Sequence, residues 1–209
     1  MPRLLSPKDV TTFRDRLCQA AERLFAEHGP SAVTMRQLAV ELGCSPMTPY
    51  RYFKDKDEIL AAVRSAAFTR LAEILEKALV EAPQRDLRSL AQAVAGAQVA
   101  FVCGEAHSYR LMFDLMQPRE EHYPSLRAAS ARAREVMTVK LADAAGAMGE
   151  RPSPGLGEAL WSLVHGALML HLADKLPAGT EPGDFAKGLV QRLCAAEGAD
   201  RVLVGAAKS

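Results

Sequence analysis

Two short helical segments are joined by a connection of only two or three residues, and that joint constrains this chain more than any other feature. Thr34 is placed to cap a helix over Met35 to Leu42, whose Leu38, Ala39 and Leu42 form one apolar stripe. Gly43 follows as a left-handed C-terminal glycine would, and Ser45-Pro46 opens the next segment with a cap and a first-turn proline. Before them, Phe13, Leu17, Ala20, Ala21, Leu24 and Phe25 recur at three- and four-residue steps, so an amphipathic helix runs to His28 and stops at Gly29-Pro30. Three helices with one tight turn form a helix-turn-helix candidate.

The rest of the chain repeats the helical pattern at larger scale. A long helix is predicted from about Asp57 to Ala82, followed by helices at Leu87 to Cys103, His107 to Met116, Pro124 to Met148, Gly155 to Lys175 and Pro182 to Ala196. Segments rich in Pro, Gly and Ser separate them, and no alternating β-branched run appears. The expectation is an all-α protein of about nine helices. Residues 1–56 form a three-helix N-terminal domain, joined rigidly, without a flexible linker, to a larger C-terminal helical bundle over residues 57–209.

Charge separates the two parts, although the whole chain carries only +1. Residues 1–56 hold nine Lys/Arg against six Asp/Glu, which permits a polyanionic partner at that end. The four cysteines, Cys18, Cys44, Cys103 and Cys194, lie far apart with no zinc spacing and read as cytosolic thiols. No signal-peptide stretch or membrane span is evident, since the most apolar run, Leu156 to Ala173, carries Glu158, His165 and His171. A cytoplasmic protein without cofactor is expected.

In the segment Ser45 to Lys54, Pro49 and Phe53 share one helical face, while Met47, Tyr50, Arg51 and Lys54 cluster on the other. The outward face, flanked by Thr48, Tyr52 and Lys56, offers apolar contact for thymine methyls, a guanidinium for guanine edges and donors for phosphates. Pro49 is awkward there, because it forfeits the bond to the carbonyl of Ser45. Either the first turn loosens toward a 3₁₀ form, or Thr48 becomes the cap and Pro49 the first residue of a shorter element. The loosened turn of a continuous helix is favoured, because it keeps Met47 and Tyr50 on one element.

The run "FAEHG" at Phe25 to Gly29, with "TMRQLAVELGCSPMTPYRYFKDKDEIL" from Thr34 to Leu60, resembles the N-terminal DNA-binding domain of TetR/AcrR-type transcriptional regulators. The shared features are the Thr opening the second helix, "LA..LG" within it, Ser45 in the turn, "YxxF" in the recognition helix and "KxKxxL" after it. By that resemblance Thr34, Thr48, Tyr52 and Lys56 grip phosphates, Pro46, Met47, Tyr50 and Arg51 lie nearest the bases, and Arg36 adds a base or backbone contact. Pro49 departs from the family's usual Leu, Ile or Val. The resemblance implies a repressor that leaves a pseudo-palindromic double-stranded DNA operator when a small apolar effector binds.

Trp161-x-x-x-His165-Gly166 is similar to the "W..HG" pattern of one C-terminal subfamily. The family further implies an effector site among Phe68, Leu71, Gln98, Phe101, Met112, Phe113, Met116 and Met137, with Trp161 and His165 as further candidates; flexible methionines and aromatics suit an apolar ligand and fill helical cores equally well. The helix Trp161 to Leu172 is apolar on two faces and needs two partners, which points to a homodimer built with Phe185 to Cys194.

Two other readings compete. A helical-bundle enzyme needs motifs such as Glu-x-x-His, and none precedes any of the five histidines. A redox sensor would use Cys18 and Cys44, which lack an evident cationic environment.

Overall fold

The computed structural model describes residues 7–83, 86–114, 119–149 and 151–206. All regular structure among them is helical: α1 Pro7–His28, α2 Met35–Glu41, a 3₁₀ turn Pro49–Arg51, α3 Lys56–Val80, α4 Leu87–Gly104, α5 Ala106–Met112, a second 3₁₀ turn Glu120–His122, α6 Pro124–Glu135, a π stretch Val136–Lys140, α7 Leu141–Gly146, α8 Leu156–Leu172 and α9 Pro182–Ala206. The all-α expectation holds, and every predicted helix is present except the one around Pro49, although α1 already begins at Pro7 and α9 runs on to Ala206, past the expected Ala196.

Two compact units divide the chain, and their limits cut across the boundary expected at Lys56. The first takes residues up to Phe68 together with His107–Ser130, the second Thr69–Ala106 and Ala131 onward. The reason is packing. Leu17, Phe25, Leu38 and Phe53 of the N-terminal helices share one core with Ile59, Leu60 and Val63 of α3 and with Leu111 of α5. Further polar ties join α5 to that unit: Ser108 Oγ donates to Glu22 Oε1 at 2.7 Å, and Arg64 Nη2 donates to the Met112 carbonyl at 3.0 Å. Nothing local in the sequence marks α5 as part of the N-terminal core; only chain reversal brings it there.

Within the first unit the termini of α2 follow the local chemistry. Thr34 and Gln37 form a reciprocal capping box. At the other end Gly43, at φ +63°, ends the helix in a Schellman arrangement, with Gly43 N donating to the Val40 carbonyl and Cys44 N to that of Ala39. The third segment is the correction. Pro49 stands first in a 3₁₀ turn that ends at Arg51, with Thr48 at the cap position. The shorter element is adopted, and no continuous recognition helix forms. Ser45 O, denied a donor at Pro49, takes Thr48 N at 2.8 Å, and the carbonyls of Thr48 and Pro49 then accept from Arg51 N and Tyr52 N. Up to Tyr52 the segment is therefore built of i→i+3 turns, and only Phe53 N, which shares the Pro49 carbonyl with Tyr52 N, closes an i→i+4 turn.

The inward placement of Pro49 does hold. It is buried, as is Phe53, and Phe53 N donates to the Pro49 carbonyl at 3.0 Å. Because Pro49 occupies a first-turn position where an N–H has no partner anyway, Pro49→Leu should change stability by less than about 1 kcal/mol. Chemical denaturation of the two proteins checks this; severe unfolding of the variant would contradict the inward wedge.

The second unit is packed around α4, α8 and α9, with Val94, Val102, Leu160, Val164, Leu168 and Val190 almost fully enclosed. The helix predicted over Pro124 to Met148 is interrupted by the π stretch Val136–Lys140. It widens the helix by one residue in a turn, and Thr138 Oγ1 donates back to the Arg134 carbonyl at 3.0 Å. α8 crosses there at Gly157, where even a methyl group would stand 2.5 Å from Thr138 Cα.

The carboxylate of Glu76 on α3 joins Arg132, on one side of the π stretch, to Lys140 at its end. Arg132 Nη2 and Lys140 Nζ each lie 2.6 Å from it. These hydrogen bonds, Arg132 first, hold the acid down at about 2 from an ordinary 4.5. A depressed carboxylate pKa contributes stability that is present above the unfolded value and fades as the pH falls through the folded one. Glu76→Gln should therefore cost about 1 kcal/mol at neutral pH, a modest figure for a partly solvated network. Its melting temperature should converge with that of the parent between pH 4.5 and about 2.

Candidate nucleic-acid interface

The segment from Ser45 to Lys56 presents its side chains in two directions because Pro49 and Phe53 are anchored in the core. Opposite them, Met47 is 67% exposed and Tyr50 49% exposed, unusual values for side chains of this size, and Arg51 and Lys54 are exposed beside them. Ser45 is exposed and its hydroxyl accepts from Met47 N at 3.3 Å, which fixes the start of the turn, while Pro46 beside it is exposed and Thr48 is half-buried. The structure thus brings Pro46, Met47, Tyr50 and Arg51 onto one short, outward-facing element.

α2 supplies a second edge. Arg36 and Val40 lie one turn apart on its exposed face, and Val40 at 72% exposed is a feature the sequence reading passed over. Thr34 is exposed, but its hydroxyl is engaged with Gln37, accepting from Gln37 N at 3.2 Å and donating to Gln37 Oε1 at 2.8 Å. Gln37 Oε1 also accepts from Thr34 N, so the start of α2 is held from both sides.

The remaining predicted contacts are tied into the scaffold. Tyr52 is half-buried with its ring stacked on Phe13 at 4.3 Å. Lys56 Nζ donates to the Pro30 carbonyl at 2.6 Å and reaches that of Ser31 at 3.4 Å, closing the α1–α2 loop onto α3. An ammonium has three protons, so a phosphate oxygen can still be served.

Arg14 of α1 was missed by sequence reasoning. Its guanidinium lies 3.8 Å from the centre of the Phe53 ring and donates to the Tyr52 carbonyl, clamping the far end of the recognition turn from 38 residues away. Its place in an ordinary amphipathic helix gives no sequence signal of that role.

The predicted effector residues fall in both units. Phe68, Met112 and Phe113 belong to the first, where Phe113 meets Phe68 edge-on at 5.6 Å and Tyr109 at 4.8 Å. Leu71, Gln98, Phe101 and Met137 are buried in the second, and Met116 lies outside the described residues. Trp161 and His165 are half-buried on α8 with ring centres 6.4 Å apart, and burial pushes the His165 imidazole pKa down, favouring its neutral form. On the same helix Met169 and Leu170 remain exposed.

Cys18 packs beside the core of the first unit, and burial pushes its thiol up to about 11. A thiol so poorly ionised is a weak nucleophile toward peroxide, which removes the motive for a Cys18 redox switch. No described helix is long and apolar enough to cross a membrane.

Comparisons with known proteins agree with this arrangement. Residues 17–63 match the model for bacterial regulatory proteins of the tetR family, and residues 91–193 match the tetracyclin repressor-like C-terminal domain. The Trp161-His165-Gly166 pattern stays a local resemblance. An uncharacterized HTH-type transcriptional regulator of Mycobacterium tuberculosis is 36% identical over 89 residues, 41% of this chain and 44% of that protein. The HTH-type transcriptional repressor AcnR of Corynebacterium diphtheriae is 32% identical over 79 residues, 37% of this chain and 42% of that protein. The chain thus spans less than half the length of these curated relatives.

Among solved structures, a tetR-family regulatory protein from Rhodococcus RHA1 superimposes with a TM-score of 0.67 at 20% identity, covering 88% of this chain and 96% of that one. The transcriptional regulator FadR from Bacillus subtilis, solved in complex with stearoyl-CoA, gives 0.70 at 14% identity over 86% and 96% of the two chains. These likenesses carry the fold. With two family models that together cover more than two thirds of its residues, the chain belongs to the tetR family of bacterial regulatory proteins.

Proposed function

We propose that this regulator is a cytoplasmic, non-enzymatic repressor that binds a pseudo-palindromic operator through residues 1–56 and is released by a small apolar effector bound within residues 57–209. The observation that carries the reading is the recognition turn itself. Met47, Tyr50 and Arg51 are held out toward solvent by the buried pair Pro49 and Phe53, and an apolar group, a phenol and a guanidinium together suit the edges of a major groove. Thr34, Thr48, Tyr52, Lys54 and Lys56 are the proposed phosphate contacts, with Arg36 at the groove edge.

A second copy of the chain completes the reader. Met169 and Leu170 are exposed on α8, and Phe185, Leu189 and Leu193 of α9 are half-buried at four-residue intervals, an apolar stripe in want of a partner. A twofold dimer through these helices would set two recognition turns on half-sites about one helical turn, ~34 Å, apart.

Footprinting on the DNA upstream of the protein's own gene tests the proposal, and equal protection of random duplex would sink it. Arg51→Ala should weaken operator binding by about 1–3 kcal/mol and relax the preference at one base pair while leaving thermal stability unchanged. Gel shifts on the operator and its single-base variants read both effects.

A further inference from the structure

The recognition turn holds Met47, Tyr50 and Arg51 outward, and one buried residue between them sets their relative angles. In an α-helix the residue four places after Ser45 donates its N–H to the Ser45 carbonyl. Pro49 has no N–H to give, so that carbonyl takes Thr48 N at 2.8 Å, and the Thr48 carbonyl takes Arg51 N at 3.1 Å. Two i→i+3 turns therefore follow one another from Ser45 to Arg51.

The residues around Pro49 already have what a helix start needs. The Ser45 hydroxyl accepts from Met47 N, as a cap does from the second helical residue, and Pro46 suits the first position. Thr48 has α-helical torsions, φ −64° and ψ −46°, and Phe53 N reaches the Pro49 carbonyl in an i→i+4 bond. An N–H at position 49 has no partner while the 3₁₀ turn stands, and it gains the Ser45 carbonyl when the segment rewinds as a helix. The better hydrogen-bond geometry of the α form favours that rewinding once the pyrrolidine ring is gone.

The two forms present different surfaces. In i→i+3 turns residues three apart eclipse one another, which aligns Met47 with Tyr50 and leaves Arg51 ~120° round the axis. An α-helix turns ~100° per residue, so Tyr50 would move ~60° out of line with Met47, and Arg51 would come to within ~40° of it. Pro49 thus pairs the thioether with the phenol; a helix would pair it with the guanidinium.

We propose that Pro49 is a positioning residue for operator choice: without touching DNA, it decides which base pairs the turn reads. The inference rests on the proposed DNA-binding function and deepens it. A guanidinium suits guanine edges and an apolar group suits thymine methyls, so rotating one against the other changes the preferred sequence. Contacts to phosphates carry no sequence information, so general affinity and its salt dependence stay as they are.

Selection of bound half-sites from a randomised duplex, followed by sequencing, tests this with the full chain. Pro49→Leu restores the N–H and keeps an apolar side chain for the buried place; Pro49→Ala restores the N–H with less bulk. Both variants should select half-sites that differ from the parent's at one or more base pairs, each protein preferring its own by about tenfold. Hydrogen exchange should find the new amide at position 49 protected in both. Parent and variants selecting the same half-sites would overturn the inference, and so would a freely exchanging amide at position 49. Uniform weakening on every sequence would also overturn it, by giving Pro49 a structural role alone. A parent with no sequence preference overturns the proposed function, and this inference with it.

Discussion

Gly157→Ala should lower stability by about 3 kcal/mol, a drop in melting temperature of roughly 6–12 °C for a chain of this size. The added methyl would stand 2.5 Å from Thr138 Cα, 2.9 Å from the Thr138 carbonyl oxygen and 3.0 Å from that of Met137. All three are backbone atoms of a π stretch whose Val136, Met137 and Thr138 are buried, so no side chain can swivel away. Either α8 lifts from the π stretch or the stretch reverts to α, shifting Leu141 and Ala145, both buried, out of register. Gly166→Ala on the same helix is the control. A methyl there meets nothing within 4 Å, so differential scanning calorimetry should find that variant equal to or slightly more stable than the parent. Equal loss at both positions would show that helix-wide flexibility, rather than the crossing, sets the cost.

Phe53→Ala should cost about 3–4 kcal/mol and abolish sequence-specific DNA binding. Phe53 is 1% exposed, fills the core against Leu17, Leu38 and Leu60, and carries the Arg14 guanidinium on its ring. Its loss leaves a cavity and removes the surface over which Arg14 reaches the Tyr52 carbonyl, so the recognition turn loses its inner anchor and its clamp together. Hydrogen exchange should show the amides of Arg51, Tyr52 and Phe53, which close the turn, opening in the variant. Phe53→Leu keeps most of the volume and loses only the cation–π contact, so it should recover most of the stability. A Phe53→Ala protein that still protects the operator would mean that the turn is held by local hydrogen bonds alone.

The element inventory was legible because helix signals are local. The Thr34 box, Gly43 in its left-handed conformation and the apolar spacing of α1 each depend on residues within a few positions of one another, and each appears as read. The outward set at Met47, Tyr50 and Arg51 was legible too, because burying Pro49 and Phe53 leaves those side chains no other direction. Two prolines at 46 and 49 were also visible, yet the balance between a loosened helix and a short 3₁₀ turn was misjudged. The missing N–H of Pro49, together with its ring crowding the Ser45 carbonyl, outweighed the continuity expected of a recognition helix.

What the amino-acid sequence determined by itself is therefore the helical class, the tight joint between α2 and the recognition turn, and the face that turn presents. Only the tertiary structure decided that α5 completes the N-terminal core through Leu111, that Arg14 clamps Tyr52, that Glu76 bridges Arg132 and Lys140, and that Gly157 must be a glycine. The physical reason is range. Caps, turns and amphipathic stripes are settled by hydrogen bonds and periodicity within one or two helical turns, whereas these four contacts join residues 19 to 94 positions apart, whose meeting depends on how whole helices pack.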